Sequence, residues 1–238
     1  MKTIALILAA GKGSRMRSEL PKPLVSFKNK PMAEHIIESF EEFGVDEIRL
    51  IVGHKHELIQ EYFGDRVKYT LQEIQNGTGH AVMQAQKDIS EGLETVFVFV
   101  GDSPLITQHT ISNLYNHHKV SGAACTFLTA DFPVKLPWAR VVRDADNKLI
   151  KCVEEKNATE EEKEIDELLS SHFVFDAQKL FNNLHKIQAD KDNGEYYLTD
   201  MIDIFLSMNE KVETLKISNY YELLGLNTPE EINWAENF

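Results

Sequence analysis

Ile4-Ala5-Leu6-Ile7-Leu8-Ala9-Ala10-Gly11 is an unbroken apolar run, and it passes straight into the basic loop Gly11-Lys12-Gly13-Ser14-Arg15-Met16. An apolar run that stops at glycine has the pattern of a strand buried in a parallel sheet. Small residues at its C-terminal end let backbone approach a ligand closely, and N–H groups in such a turn can hold phosphate. Lys12, Arg15 and, in Leu20-Pro21-Lys22-Pro23-Leu24, Lys22 place three cations beside that mouth. The stretch predicts a site for a nucleoside triphosphate at the end of the first strand. The dinucleotide fingerprint is excluded, because its third glycine would fall at Met16, and a Walker A loop would close with Gly-Lys-Ser/Thr. The glycines alone suit an ordinary βα turn equally well, so the rest of the chain decides.

Outward from this strand the pattern is β-α-β-α-β, which predicts a parallel sheet with right-handed crossovers. Met32, Ile36, Ile37, Phe40 and Phe43 recur at helical spacing between Pro31 and Gly44. Strands are expected at Glu47 to Gly53 and Val67 to Leu71. Between them, His54 to Phe63 is expected to be a helix with Leu58, Ile59, Tyr62 and Phe63 facing inward. The polar stretch Gln72 to His80, with two glycines, is expected to be a second loop at a strand's C-terminal end, followed by a helix from Ala81 to Ile89. That edge of an open α/β sheet is where ligands bind. Gln72 suits either a base edge or plain surface.

Thr95-Val96-Phe97-Val98-Phe99-Val100 is the most apolar strand and predicts a central position, ending in Gly101-Asp102-Ser103-Pro104-Leu105. A carboxylate at the tip of a buried strand is costly unless paired, hydrated or metal-bound. Asp102 fits a Mg²⁺ ligand, since that ion takes one or two carboxylates plus phosphates; the alternative is an N-cap for the helix near Thr107. After Gly122 the pattern changes. Strands are expected at Ala123 to Leu128 and Ser171 to Phe175, and a hairpin from Ala139 to Arg143 and Leu149 to Glu154 forms a small antiparallel lid. Helices are expected from Asp176 to Ile187 and from Glu195 to Met208, with a late strand at Lys211 to Ile217. Thr228 and Pro229 open a final acidic helix.

The chain has 238 residues, room for one large α/β domain or two small ones. Hydrophobic content of 42% with 26% charged residues is that of a soluble globular protein. No apolar stretch approaches the ~20 residues that span a bilayer, and the N-terminal run has no signal-peptide form. The net charge of -13 argues against a nucleic-acid groove. Much of it lies between Glu154 and Glu167, where Glu160-Glu161-Glu162 has the form of a solvated helix start. Cys125 and Cys152 lack paired spacing and predict buried thiols in a reducing, cytoplasmic compartment.

Together the residues resemble the sugar-1-phosphate nucleotidyltransferases. The first loop with Leu20 to Leu24 matches that family's signature. Gln75-Asn76-Gly77-Thr78-Gly79-His80-Ala81, Gly101-Asp102-Ser103-Pro104-Leu105, Val153-Glu154-Glu155-Lys156, Gly194-Glu195-Tyr196-Tyr197-Leu198-Thr199-Asp200 and Gly225-Leu226-Asn227 follow in its order. The likeness is greatest to the uridylyltransferase half of the bifunctional N-acetylglucosamine-1-phosphate uridylyltransferase/glucosamine-1-phosphate acetyltransferases. The resemblance implies a Rossmann-like α/β fold, a mixed, mostly parallel sheet flanked by helices. It implies a single domain over 1–238, with the nucleotide half in 1–120 and the acceptor half in 121–238. It implies Mg²⁺-dependent transfer of a nucleotidyl group, UMP from UTP, to a sugar 1-phosphate with release of pyrophosphate. Leu8, Ala9, Ala10, Gly11, Gln72, Gly77, Thr78 and Gly101 would hold the nucleotide, with Gln72 on uracil. Arg15 and Lys22 would serve the triphosphate, Asp102 and Asn227 the metal. Ala139, Glu154, Leu169, Tyr197 and Thr199 would line the acceptor pocket.

Two departures bear on the acceptor. The family has a glycine before the arginine of the first lid strand, where this chain has Ala139 before Arg140. In Glu167-Leu168-Leu169-Ser170-Ser171-His172, Leu169 replaces an asparagine that contacts the sugar, which removes a hydrogen bond a hydroxyl would miss. An acceptor other than N-acetylglucosamine 1-phosphate is therefore expected. No hexapeptide repeat is present, so nucleotidyl transfer alone is expected, without acetyl transfer. The alternatives are a cytidylyltransferase on another phosphorylated acceptor and a nucleotide-binding regulatory protein without turnover. The missing third glycine disfavours a nicotinamide-dependent oxidoreductase.

Overall fold

A computed structural model describes residues 2–89 and 92–237. The first strand, β1 (Lys2–Ala9), alternates between the two faces of a sheet: Ile4 and Leu6 join one apolar core, Ala5 and Ile7 the other. Strands β2 (Ser26–Phe27) and β3 (Lys30–Pro31) form a small antiparallel pair that the sequence pattern is too short to reveal. They lead into α1 (Met32–Phe43), which ends at Gly44 in the left-handed conformation. Phe40 of α1 packs edge-on to Phe97 and Phe99. A fully buried phenylalanine of this kind is worth about 1.5–3 kcal/mol.

Next come β4 (Glu47–Val52), α2 (His56–Phe63), β5 (Lys68–Leu71), α3 (Gly77–Gln86), β6 (Leu93–Val100) and α4 (Gln108–Ser121). β7 (Cys125–Asp131) follows, then the hairpin β8 (Arg140–Arg143) and β9 (Leu149–Val153). The chain continues through α5 (Glu160–Lys163), β10 (Glu167–Asp176), α6 (Ala177–Asn183), α7 (Asp200–Ser207), β11 (Val212–Lys216) and α8 (Pro229–Ala235). The main sheet runs β11-β7-β10-β6-β1-β4-β5, with the hairpin joined through β8 to β10. β1, β4, β5 and β6 are mutually parallel and β11 is parallel to β7, whereas β10 runs antiparallel to β6 and β7. Helices flank this mixed, mostly parallel sheet. No described helix is long and apolar enough to cross a membrane.

Several expectations hold. β6 lies at the middle of the strand order, and α5 is a short acidic helix closed by a capping box at Thr159. Thr228 caps α8 with Pro229 at its first position. Cys125 and Cys152 are both free thiols, Cys125 buried as expected and Cys152 only half-buried.

Four expectations are corrected. On α2 only Ile59 and Phe63 are buried; Leu58 and Tyr62 are exposed, and Tyr62 Oη donates to Glu34 on α1. An eight-residue helix buries a single i, i+4 stripe. α3 starts at Gly77 rather than Ala81, because Tyr196 supplies a carbonyl to the Gly79 N–H at 2.8 Å and so satisfies a first-turn donor. The same clasp stops α7 from starting at Glu195. Tyr196 N–H is committed to Asn76 O, and Leu198 N–H to Thr78 Oγ1, so the helix begins at Asp200. β10 starts at Glu167 rather than Ser171. A register break between Leu169 and Phe173, with Ser171 at φ 59°, lets the strand bulge and hides its period.

β1 has β4 on one side and β6 on the other, so the loops leaving β1 and β6 diverge. That divergence opens a crevice at the carboxyl ends of the two strands.

Candidate active site

The crevice is a cleft of about 390 Å³, and all eight residues expected at the nucleotide line it: Leu8, Ala9, Ala10, Gly11, Gln72, Gly77, Thr78 and Gly101. Gly101 N–H donates to Leu8 O at 2.9 Å, which ties the two strand ends together. Gly77 sits at φ 91°, and a Cβ there would lie 2.5 Å from Tyr196 O. Only glycine admits the clasp between the start of α3 and residues 194–198. Gln72 is not surface: it is 3% exposed, and its Nε2 donates to Gly77 O and meets His80 Nδ1. Those contacts fix the amide's orientation. Its Oε1 accepts no hydrogen bond from the described residues.

Arg15, Lys22, Asp102 and Asn227 also line this cleft. Lys22 Nζ forms an ion pair with Asp102 Oδ2 and donates to Asn227 Oδ1 at 2.7 Å, while Arg15 Nη2 donates to the same oxygen at 2.9 Å. Asn227 is turned for this by its own contacts, Nδ2 to Gly225 O and N–H to Glu231 Oε2. The turn carrying it docks on β6's tip through Leu226 N–H to Asp102 O, and a Cβ on Gly225 would lie only 3.2 Å from the Asp102 carboxylate. Lys12, the third cation of the sequence reading, is exposed and does not line the cleft. The alternative role for Asp102 is removed as well, since Thr107 caps α4 by accepting from Thr110 N–H.

The Asp102 and Asn227 oxygens converge on one ammonium, so their arrangement suits a cation. Both are hard oxygen donors of the kind Mg²⁺ takes. Among the described residues there is no cluster of three His, Cys, Asp or Glu able to cage a metal. The pair fits a metal whose remaining positions come from phosphate and water.

A second cleft of about 630 Å³ adjoins the first, and Arg15, Val100, Asp102 and Asn227 line both. Ala139, Glu154, Leu169 and Thr199 face it as expected, with Thr199 Oγ1 donating to Glu154 Oε1 at 3.0 Å. Tyr197 does not line it. The tyrosine hydroxyl accepts from Asn193 Nδ2, and the Lys156 ammonium stands 5.3 Å from its ring centroid. Trp138 lines the cleft and also packs edge-on to Phe132. Arg140, fully buried, donates to Leu136 O and pairs with Glu155, which anchors this wall.

Residues beyond the sequence reading also contribute. Ser103 lines the second cleft, as do Tyr220, Leu224 and Trp234. Behind Ser170, His172 is fully buried with Nδ1 2.9 Å from the serine hydroxyl; burial pushes its pKa down to about 4, so the ring is neutral at pH 7. Nothing in local spacing marks these positions, because the cleft forms only when distant loops meet.

Asp200, next to Thr199, has its pKa raised to about 6, first by burial and then by Asp203, Glu154 and Asp190. A carboxyl whose folded pKa is raised binds its proton more tightly when folded, so its ionisation costs stability as pH rises from about 4 to about 6. Asp200→Asn is expected to raise the melting temperature at pH 7.5 and to leave it unchanged at pH 4, as thermal denaturation followed across that range will report.

The family model for the MobA-like NTP transferase domain matches residues 5–194 of this chain. The "Bifunctional protein GlmU" of Staphylococcus carnosus is 40% identical over 236 residues, covering 99% of this chain and 52% of that protein. The protein of the same name from Enterococcus faecalis is 41% identical over 223 residues, 94% of this chain and 49% of that one. The chain thus spans about half the length of these curated relatives. Among solved structures, 4-diphosphocytidyl-2C-methyl-D-erythritol synthase from Anaerococcus prevotii superposes with a TM-score of 0.70 at 15% identity, covering 99% of this chain and 97% of that one; the likeness is one of fold.

Proposed function

Because the chain belongs to the family of MobA-like NTP transferase domains, and is a nucleotidyltransferase on that ground, we propose that it transfers UMP from UTP to a phosphorylated sugar with release of pyrophosphate. The observation that carries this reading is the meeting of two clefts at Arg15, Asp102 and Asn227, with Lys22 between the last two. A transfer between two anions needs such a junction, where cations sit between donor and acceptor.

An oxygen of the acceptor's phosphate attacks the α-phosphorus in line. One P–O bond forms, and the bond to pyrophosphate breaks. The attacking phosphate is already ionised, so no covalent enzyme nucleophile and no general base are required. The protein's share of catalysis is position and charge. In this reading Leu8 to Gly11 and Gly101 hold the nucleotide by backbone, and Thr78 keeps the Gly77 clasp closed. Lys22 and Arg15 offset charge on the triphosphate. Glu154 and Thr199 orient the acceptor across the junction. Asp102 and Asn227 would hold Mg²⁺, which when bound neutralises phosphate charge.

The choice of UTP rests on Gln72. With both amide hydrogens directed at Gly77 O and His80, its Oε1 is left as an acceptor on the cleft wall. Uracil presents an N–H at N3, where cytosine presents a lone pair. Isothermal calorimetry with Mg²⁺ is expected to give UTP a dissociation constant lower than that of CTP by about tenfold or more, and Gln72→Leu is expected to erase the difference. Pyrophosphate release from UTP across a panel of sugar phosphates tests the reaction itself. UTP binding with no release from any acceptor would instead favour a regulatory protein.

A further inference from the structure

Resting on the nucleotidyl-transfer reading, we infer that the phosphorylated sugar it accepts is a deoxygenated one, apolar beyond its first polar substituent, rather than a fully hydroxylated sugar phosphate. The second cleft combines a polar set of residues with an extended apolar one. Its groups able to meet a polar ligand are Arg15, Asp102 and Asn227 at the junction, Ser103, Glu154 and Thr199 beside it, Ser170 and Ser171 on the bulge of β10, and Glu231 on α8. The rest of the lining is largely apolar: Pro133, Val134, Leu136, Pro137 and Trp138 from one loop, with Tyr220, Leu224 and Trp234 from the C-terminal segment. Two of these residues are prolines with no N–H, and among the side chains only indole and phenol can hydrogen-bond. Sugar hydroxyls carried into such a space would lose water without replacement.

Two further observations point to a ligand of this kind. Val134 and Trp234 line the cleft yet are 57% and 45% exposed, leaving apolar surface that an apolar ligand would cover. Ser103 is fully buried beside Asp102, lines the cleft, and its Oγ has no hydrogen-bond partner among the described residues. An orphaned buried hydroxyl is costly, and a hydroxyl or carbonyl next to the acceptor's phosphate would satisfy it. Leu169, 3% exposed, stands on the same wall and offers no polar contact. The cleft also carries three carboxylates, Asp102, Glu154 and Glu231, against Arg15, which disfavours a second anionic group on the acceptor's body.

The chain has two tryptophans, Trp138 and Trp234, and both line this cleft, so intrinsic fluorescence reports its occupancy independently of turnover. Titration of the full chain with cyclohexyl phosphate, trans-2-hydroxycyclohexyl phosphate and glucose 1-phosphate compares one ring size at three levels of hydroxylation. Both cyclohexyl esters are expected to bind with dissociation constants lower than that of glucose 1-phosphate by about tenfold or more, the hydroxylated one more tightly. Ser103→Ala is expected to remove the advantage of the single hydroxyl while leaving cyclohexyl phosphate unchanged. Equal or tighter binding of glucose 1-phosphate overturns the inference, as does the absence of a fluorescence response to all three. Pyrophosphate release with the same esters and UTP is read separately. Its failure alongside the expected binding order counts against the transfer reading and leaves the ligand preference of the cleft standing.

Discussion

Lys22→Ala is expected to lower kcat by roughly 10²–10³-fold, the scale on which loss of one preorganised donor to a developing anion is felt. Lys22 lies on a tight turn between the first loop and β2, with a side chain 14% exposed, and its ammonium spans Asp102 and Asn227. The same group that balances Asp102 in the free protein is placed to meet phosphate oxygens when nucleotide enters. Its removal withdraws charge where charge accumulates and leaves the fold's apolar cores untouched. Steady-state kinetics and thermal denaturation on one preparation check this: a large fall in kcat with a small change in melting temperature is expected. A kcat within threefold of wild type at full occupancy would remove Lys22 from the catalytic machinery.

Asp102→Ala is expected to have the larger effect, a loss of about 10³-fold or more in metal-dependent turnover, because an offset of several kcal/mol by a bound metal goes with it. The carboxylate is doubly placed, at the tip of the central strand and against the turn that carries Asn227. The alanine variant also frees Lys22 from its partner, so activity by itself does not separate loss of metal from displacement of lysine. Calorimetric titration of UTP with and without Mg²⁺ separates them. The wild type is expected to bind more tightly with the metal, and Asp102→Ala is expected to bind equally weakly in both conditions. A retained metal effect in the variant would move the metal assignment elsewhere.

The strand that begins the chain was legible because its signal is local: seven apolar residues in a row, then glycine. The same holds for β6, whose apolar density marks it as central, and for Thr228-Pro229, a helix start written in two adjacent residues. Element boundaries were misread where distant backbone decides them. Asn76, Gly79 and Thr78 engage Tyr196 and Leu198 across some 120 positions, and this contact starts one helix early and the other late. The eight residues expected at the nucleotide share the first cleft because most of them lie at strand ends, while Gln75 and Glu195, which also line it, were not singled out. The second cleft was readable only in part. Ser103, Tyr220 and Trp234 come from separate loops, and Tyr197, beside a true cleft residue in sequence, turns away toward Asn193.

The contact between Arg15 and Asn227 spans 212 positions. It sets an order of events during synthesis. β1, β4, β5 and β6 can all be made and paired while the turn that completes the junction has yet to leave the ribosome. Until Asn227 and Glu231 arrive, Asp102 and Lys22 have each other but lack the amide that holds both cations in place. In the proposed reading, the part of a nucleotide's stabilisation that runs through the completed junction comes only after that turn has docked. A nascent chain halted short of that turn would carry the residues assigned to the nucleotide with an incomplete cation junction, a delay between folding and the proposed activity.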